Sequence, residues 1–144
     1  MEWGILFMGP VGSGKTQAIR TISDIDVLDT DARASDETRL LKANTTVAMD
    51  VGTLHLMGQD KLRLYGAPGQ DRFDFMWDIL LEQSKGIVLT LNHSNPDPLA
   101  DLDHHLHAIE TRTRRRRRPI VVGVTHTDVR PDRPMGMYQK HLQR

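Results

Sequence analysis

The stretch GPVGSGKT, Gly9 to Thr16, decides how this chain is read. It fits the pattern G-x-x-x-x-G-K-[ST]. WGILFM, Trp3 to Met8, precedes it: a short continuous apolar run, as expected of a strand buried on both faces. KTQAIRTIS, Lys15 to Ser23, follows it and reads as a helix. A buried strand, a glycine turn and a helix in that order make the pattern a phosphate loop rather than an incidental turn. The glycines let backbone N–H groups close around phosphate oxygens, and the helix N-terminus adds its positive dipole. In this reading Gly9, Val11, Gly12, Ser13, Gly14, Lys15, Thr16 and Gln17 contact the nucleotide. Lys15 reaches the β- and γ-phosphates, and the Thr16 hydroxyl ligates Mg²⁺. The loop implies a nucleoside triphosphate but leaves open the base and the chemistry.

Outward from the loop, the pattern is α/β. Residues 23–44 are polar, rich in Asp and Glu, and without clear period. They read as a long loop, of the kind that is often functional inside a compact domain. TTVAMDVGTLHL (45–56) and KLRLYG (61–66) read as two strands, joined antiparallel by the turn MGQD (57–60). DRFDFMWDILLEQS (71–84) reads as an amphipathic helix whose apolar side is Phe73, Met76, Trp77, Ile79, Leu80 and Leu81. GIVLTLN (86–92) is a further buried strand, closed by the turn HSNPDP. Leu99, Leu102, Leu106 and Ile109 then recur on one face of a helix. PIVVGVT (119–125) is another buried strand, and MYQKHLQR (137–144) begins a last helix. Buried strands alternating with helices predict a mostly parallel sheet with helices on both faces and one antiparallel edge strand.

With 144 residues, the expectation is one domain over 1–144. The formal net charge is zero, so no global field draws the chain to nucleic acid or an acidic membrane. There is no cysteine, which excludes disulfides, thiolate zinc sites and thiol lipidation. No apolar run is long enough to span a membrane, and MEWGILFMG lacks the basic start of a signal peptide. A cytoplasmic location is the expectation.

Three more stretches carry the rest of the site. In LYGAPGQDRF (64–73), Gly69 follows a strand where its N–H could meet a γ-phosphate, and Gln70 is placed to orient an attacking water. Thr45–Thr46 ends the long loop just before a strand, so a hydroxyl of Thr46 (or Thr45) completes a Mg²⁺ shell. VTHTD (124–128) ends a buried strand at the carboxyl edge of the sheet, where ligands bind.

With these segments in order, the chain resembles a small Ras-like GTPase of the P-loop NTPase class over most of its length. TTVAMD, YGAPGQDRF and FMWDIL look most like the bacterial branch related to the gliding-motility (MglA-like) and conservon GTPases. The resemblance implies GTP/GDP binding, Mg²⁺, slow hydrolysis with Lys15 and Gln70 as the catalytic pair, and a base reader at Thr125, His126 and Asp128. It also implies control by a roadblock-type regulatory protein or another effector, which reads residues 23–46 and 65–82.

The chain departs from that pattern in four places. Gly66 stands where the family usually carries an Asp that supports Mg²⁺ through water. Its loss weakens metal coupling but leaves Gly69 and Gln70 in place. Asp50 lies on the neighbouring strand, though its spacing from Thr46 counts against its taking over. THTD replaces the usual N-K-x-D. Asp128 can still accept two hydrogen bonds from guanine, His126 stands where a lysine stem covers the base, and Thr125 offers fewer hydrogen bonds than Asn. Val11 crowds the path of an arginine finger. Finally, the family's last strand and helix have no counterpart, which leaves PIVVGVT as an exposed edge and predicts self-association or low stability.

Two further features read as solvated surface. RTRRRRR, Arg112–Arg118, lacks the aromatics of a base-stacking surface and sits at a helix C-terminus, where cations are favoured. No specific nucleic acid is expected there. In DLDHHLH, Asp103 and His107 are one helical turn apart, but the same helix buries Leu102 and Leu106 and leaves most of its acids and histidines outward. His55 and His93 read as surface or turn residues. Two other functions stay open: a nucleotide-gated binding module with little hydrolysis, and a small P-loop ATPase or kinase.

Overall fold

The apolar run before the phosphate loop forms the first strand. In the computed structural model, which describes residues 1–29, 49–68 and 74–143, β1 spans Glu2–Met8 and α1 spans Lys15–Ile22. Next come β2 (Leu28–Asp29), β3 (Asp50–His55) and β4 (Lys61–Gly66). They are followed by α2 (Asp74–Gln83), β5 (Gly86–Asn92), α3 (Pro98–Arg112), β6 (Ile120–Thr125) and α4 (Gly136–Leu142). One sheet joins the strands in the order β2-β3-β4-β1-β5-β6. β1 runs parallel to β4 and β5, and β5 parallel to β6. β3 runs against both β4 and β2. It is the antiparallel strand predicted, with the two-residue β2 lying beyond it in a region read from sequence as loop.

Alternation along β1 explains the layers. Leu6 and Met8 face one way and pack with Ile87, Leu89 and Leu91 of β5, Trp77 and Leu80 of α2, Leu102 and Ile109 of α3, and Tyr138 of α4. Phe7 faces the other way, onto Leu64 of β4 and Ile19 of α1. Among the described helices, α1 covers the second face and the other three pack on the first. β6 is the outer strand, and its Val121 is 65 % exposed. The MGQD hairpin closes as predicted: Leu56 N–H donates to the Asp60 carbonyl at 2.8 Å, and Gly58 adopts φ 71° in the turn.

Three readings need correction. Ile79 was placed on the buried side of α2 but is 53 % exposed, because it lies two residues, about 200°, round the helix from buried Trp77. His93 is buried: its Nδ1 lies 2.7 Å from the Tyr138 hydroxyl and its Nε2 3.2 Å from the Arg133 carbonyl. His105 is also buried, its ring 5.8 Å from that of Trp77, so the histidine-rich face of α3 is not uniformly solvated. Phe73 lies outside the described residues.

Candidate functional site

The carboxyl ends of β1, β4, β5 and β6 open on the same edge, and the loop Gly9–Thr16 lies across it. Gly9 passes so close under β5 that a Cβ there would sit 2.2 Å from the Thr90 carbonyl. The next turn is locked by buried Ser13, whose hydroxyl lies 2.7 Å from Thr90 Oγ1. Gly12 and Gly14 adopt φ 78° and 93°, left-handed backbone that side chains resist. Gly14 is the N-cap of α1, with no side-chain cap and no acid in the first turn. The orphan N–H groups and dipole of that helix end are therefore uncontested by protein carboxylates within the turn.

Lys15 folds back over this loop. Its Nζ donates to the carbonyls of Gly9 at 2.7 Å and Pro10 at 2.8 Å. Burial lowers its pKa to about 8, against an opposing pull from the Asp50 carboxylate. A phosphate would offer this ammonium full negative charge in place of two carbonyl dipoles. The exposed Thr16 hydroxyl donates to Asp50 Oδ2 at 2.5 Å. Val11, in the same loop, is 62 % exposed.

The second half of the site comes from the end of β6. Thr125 Oγ1 donates to the Ser13 carbonyl at 2.8 Å and lies 2.9 Å from His126 Nδ1. With a proton on Nδ1 the hydroxyl accepts from the imidazole and donates to the nearer of two carbonyls, Ser13 at 2.8 Å rather than Leu91 at 3.1 Å. His126 is held at φ 57°, the one non-glycine residue in left-handed backbone among those described. Such strain clusters at ligand-contacting positions. A cavity of about 330 Å³ is lined by Gly12 to Gln17 together with His126. Asp128 stands exposed in the turn beyond and is not part of that lining. Asn92, at the end of β5, adds a tie that sequence reasoning missed, its amide donating to the Gly12 carbonyl at 3.2 Å.

The structure thus brings Gly9, Gly12, Ser13, Gly14, Lys15, Thr16, Gln17, Thr125 and His126 to one place. Thr46, Gly69 and Gln70 lie outside the described residues. The donor set fits a hard cation and a polyphosphate: a hydroxyl and a carboxylate oxygen side by side at Thr16 and Asp50, and a glycine cradle facing a helix N-terminus. The sequence reading set Asp50 aside on its spacing from Thr46, yet its carboxylate meets the Thr16 hydroxyl. The signal was available, because a hairpin closing at His55 opposite Lys61 puts Asp50 opposite Gly66 by counting.

The Arg112–Arg118 run lies at the other end of the parallel strands, before β6. Its ends are tied down. Arg112 stacks over Trp77 at 5.4 Å and meets Asp78 at 3.2 Å, and Arg118 Nε donates to the Ser84 carbonyl at 2.7 Å. Arg114 to Arg117 are exposed. A hollow of about 650 Å³ there is larger than the phosphate-loop cavity. It is lined by Arg114, Arg117 and Arg118 together with His107, Glu110 and Thr111, and has no glycine cradle. Asp103 of the histidine-rich stretch is engaged by His141 Nε2 at 2.7 Å rather than paired with His107. No cluster of three metal-ligating side chains occurs among the described residues, and no helix among them is long and apolar enough to cross a membrane.

No protein-family model and no curated protein matches the chain. Among solved structures it is similar to the G domain of the FeoB iron transporter from T. maritima, with a TM-score of 0.68 and 17 % identity over 99 % of this chain and 84 % of that one. That likeness is one of fold: the chain has the P-loop GTPase fold, a mostly parallel α/β sheet with one antiparallel strand.

Proposed function

We propose that the chain is a guanine-nucleotide switch that binds GTP and GDP with Mg²⁺, hydrolyses GTP slowly, and signals its state to a partner. The observation that carries this reading is the direct tie from Thr125 to Ser13, which joins the phosphate loop to the strand end where a base would sit. Phosphates are held by the N–H groups of Gly12 to Thr16 and by Lys15, which turns from its own loop carbonyls to the β- and γ-oxygens. Thr16, and Thr46 from the loop, are the residues that would hold Mg²⁺. When bound, the ion neutralises charge on the β- and γ-phosphates. His126 covers one face of the base, and Asp128, after a shift of its turn toward the cavity, accepts from guanine N1–H and N2–H₂.

In hydrolysis a water oriented by Gln70 attacks the γ-phosphorus. The bond to the β–γ bridging oxygen breaks, and GDP and inorganic phosphate leave. Lys15 stabilises the charge that builds on those oxygens. Gly69 and Thr46 sense the γ-phosphate, and residues 23–46 and 65–82 present the result to an effector, for which a roadblock-type regulator is the expectation from the quoted motifs. Placement in the MglA-like bacterial branch rests on those motifs alone.

The test is a titration of GDP, GTP and ATP with and without Mg²⁺. GTP binding no tighter than ATP would remove the base-reader assignment. Single-turnover hydrolysis then separates this reading from a nucleotide-gated binding module, which the glycine at 66 favours. Little or no turnover would argue for the module, and an unchanged rate in Gln70→Leu would count against catalysis through Gln70.

A further inference from the structure

The antiparallel register pairs Asp50 of β3 directly with Gly66 of β4. Side chains of directly paired residues project from the same face of a sheet. A Cβ built on Gly66 would lie 3.4 Å from Asp50 Cβ and 3.5 Å from its Oδ2. The Asp50 carboxylate therefore fills the space that a side chain at 66 would enter, and it reaches the hydroxyl of Thr16 at 2.5 Å. A Cβ at 66 would touch Asp50 at contact distance and press on Ile19 Cδ1 at 3.0 Å, and a longer side chain on the same face would compete with the carboxylate for its space.

We propose that Asp50 is the carboxylate of the metal site, supplied across the hairpin in place of one at position 66. This inference rests on the nucleotide-binding reading above. Asp50 acts as a positioning residue. By accepting the Thr16 proton it leaves the lone pairs of that hydroxyl oxygen free to face a cation, and it holds a compensating negative charge one hydrogen bond behind it. Carboxylates that orient a ligand in this way commonly contribute about 10–100-fold to metal affinity. The small residue at 66 is then a requirement of the arrangement rather than a defect in it.

The experiment follows release of fluorescent GDP from the full chain against Mg²⁺ concentration, at about pH 6.5 so that Lys15 stays charged. Four proteins are compared: wild type, Asp50→Asn, Asp50→Ala, and Asp50→Ala with Gly66→Asp. The expected result is that Asp50→Asn and Asp50→Ala raise the Mg²⁺ concentration giving half-maximal retention by about 10–100-fold. The double variant returns the Mg²⁺ midpoint most of the way to wild type. An unchanged midpoint in Asp50→Asn would overturn the proposal. So would a double variant that folds, binds GDP in EDTA and shows no recovery. A wild-type chain that fails to bind GDP even with Mg²⁺ would instead sink the nucleotide-binding reading, which keeps the two failures distinct.

Discussion

The hydroxyl of Thr125 donates to the carbonyl of Ser13 at 2.8 Å across 112 residues of sequence. Thr125 also abuts Gly14, whose added Cβ would lie 3.5 Å from the threonine methyl. The base end of the site is thus coupled to the phosphate loop by one short hydrogen bond, with no room for a side chain at Gly14 beyond ordinary contact. Thr125→Val keeps the shape and the contact but removes the donor, leaving the Ser13 carbonyl short of a partner. A lost hydrogen bond of this kind costs about 1–2 kcal/mol. The expected outcome is a loss of roughly 5–30-fold in GDP affinity, measured by calorimetry. A change of less than about twofold would mean that the tie does not couple the two halves.

Gly9 and Gly12 both have positive φ, but their surroundings differ. A Cβ on Gly12 meets nothing within 4 Å, so Gly12→Ala carries only backbone strain of about 1–2 kcal/mol. A Cβ on Gly9 would meet the Thr90 carbonyl at 2.2 Å and the Ser13 hydroxyl at 2.8 Å. Neither is the free end of a flexible chain, so β1 and β5 must part. We expect Gly12→Ala to lower the melting temperature by a few degrees and Gly9→Ala to lower it by more than about 10 °C or prevent folding. Thermal melts of the two variants side by side decide this, and equal shifts would contradict it.

Buried His93 ties the end of β5 to the segment between β6 and α4. Besides its bonds to Tyr138 and the Arg133 carbonyl, its own carbonyl accepts from Arg133 Nη1 at 3.0 Å. His93→Leu leaves the buried Tyr138 hydroxyl without its partner and costs about 2–3 kcal/mol. Tyr138→Phe alone strands the Nδ1 atom of the imidazole at a similar cost, while Nε2 keeps the Arg133 carbonyl. Removing both partners leaves neither stranded, so denaturant unfolding of the single and double variants should give a coupling energy of about 1–2 kcal/mol. Additive costs would show that the pair contributes nothing jointly.

What could be read from the sequence follows from where each signal lies. Gly9 to Thr16 is contiguous and its glycines, lysine and threonine are fixed by local backbone needs, so the loop was legible residue by residue. The strands β1 and β5 were legible because parallel strands buried on both faces are continuous apolar runs, and β6 carries the same kind of run although it is the outer strand and none of its residues is fully buried. His93 was not, since its partners are 40 and 45 residues further on and the local string HSNPDP reads as a turn. Asp50 was half legible: the hairpin was recognised, but its role depends on the register opposite Gly66 and on reaching Thr16, 34 residues away. Ile79 was misplaced because a crowded apolar helix, with Phe75, Met76, Trp77, Ile79, Leu80 and Leu81 in succession, has no clean stripe to choose from.

The lowered pKa of Lys15 predicts two pH dependences of opposite sign. Burial opposes the charged ammonium, so in the protein without nucleotide Lys15 has a pKa of about 8 against 10.5 for the unperturbed group. The folded state therefore pays for that charge fully below pH 8, and the cost disappears as pH rises from about 8 toward 10.5. This group alone makes the nucleotide-free protein more stable across that interval. Nucleotide binding goes the other way. Phosphates beside Nζ favour the ammonium, so above pH 8 binding must take up a proton, and affinity falls by up to about tenfold per pH unit. GDP affinity measured between about pH 7 and pH 9 should be flat at the lower end and decline at the upper. Lys15→Ala should bind more weakly throughout and lose the decline. A decline of equal slope in Lys15→Ala would assign it to another group, and a flat wild-type profile would mean that Lys15 does not meet the phosphates.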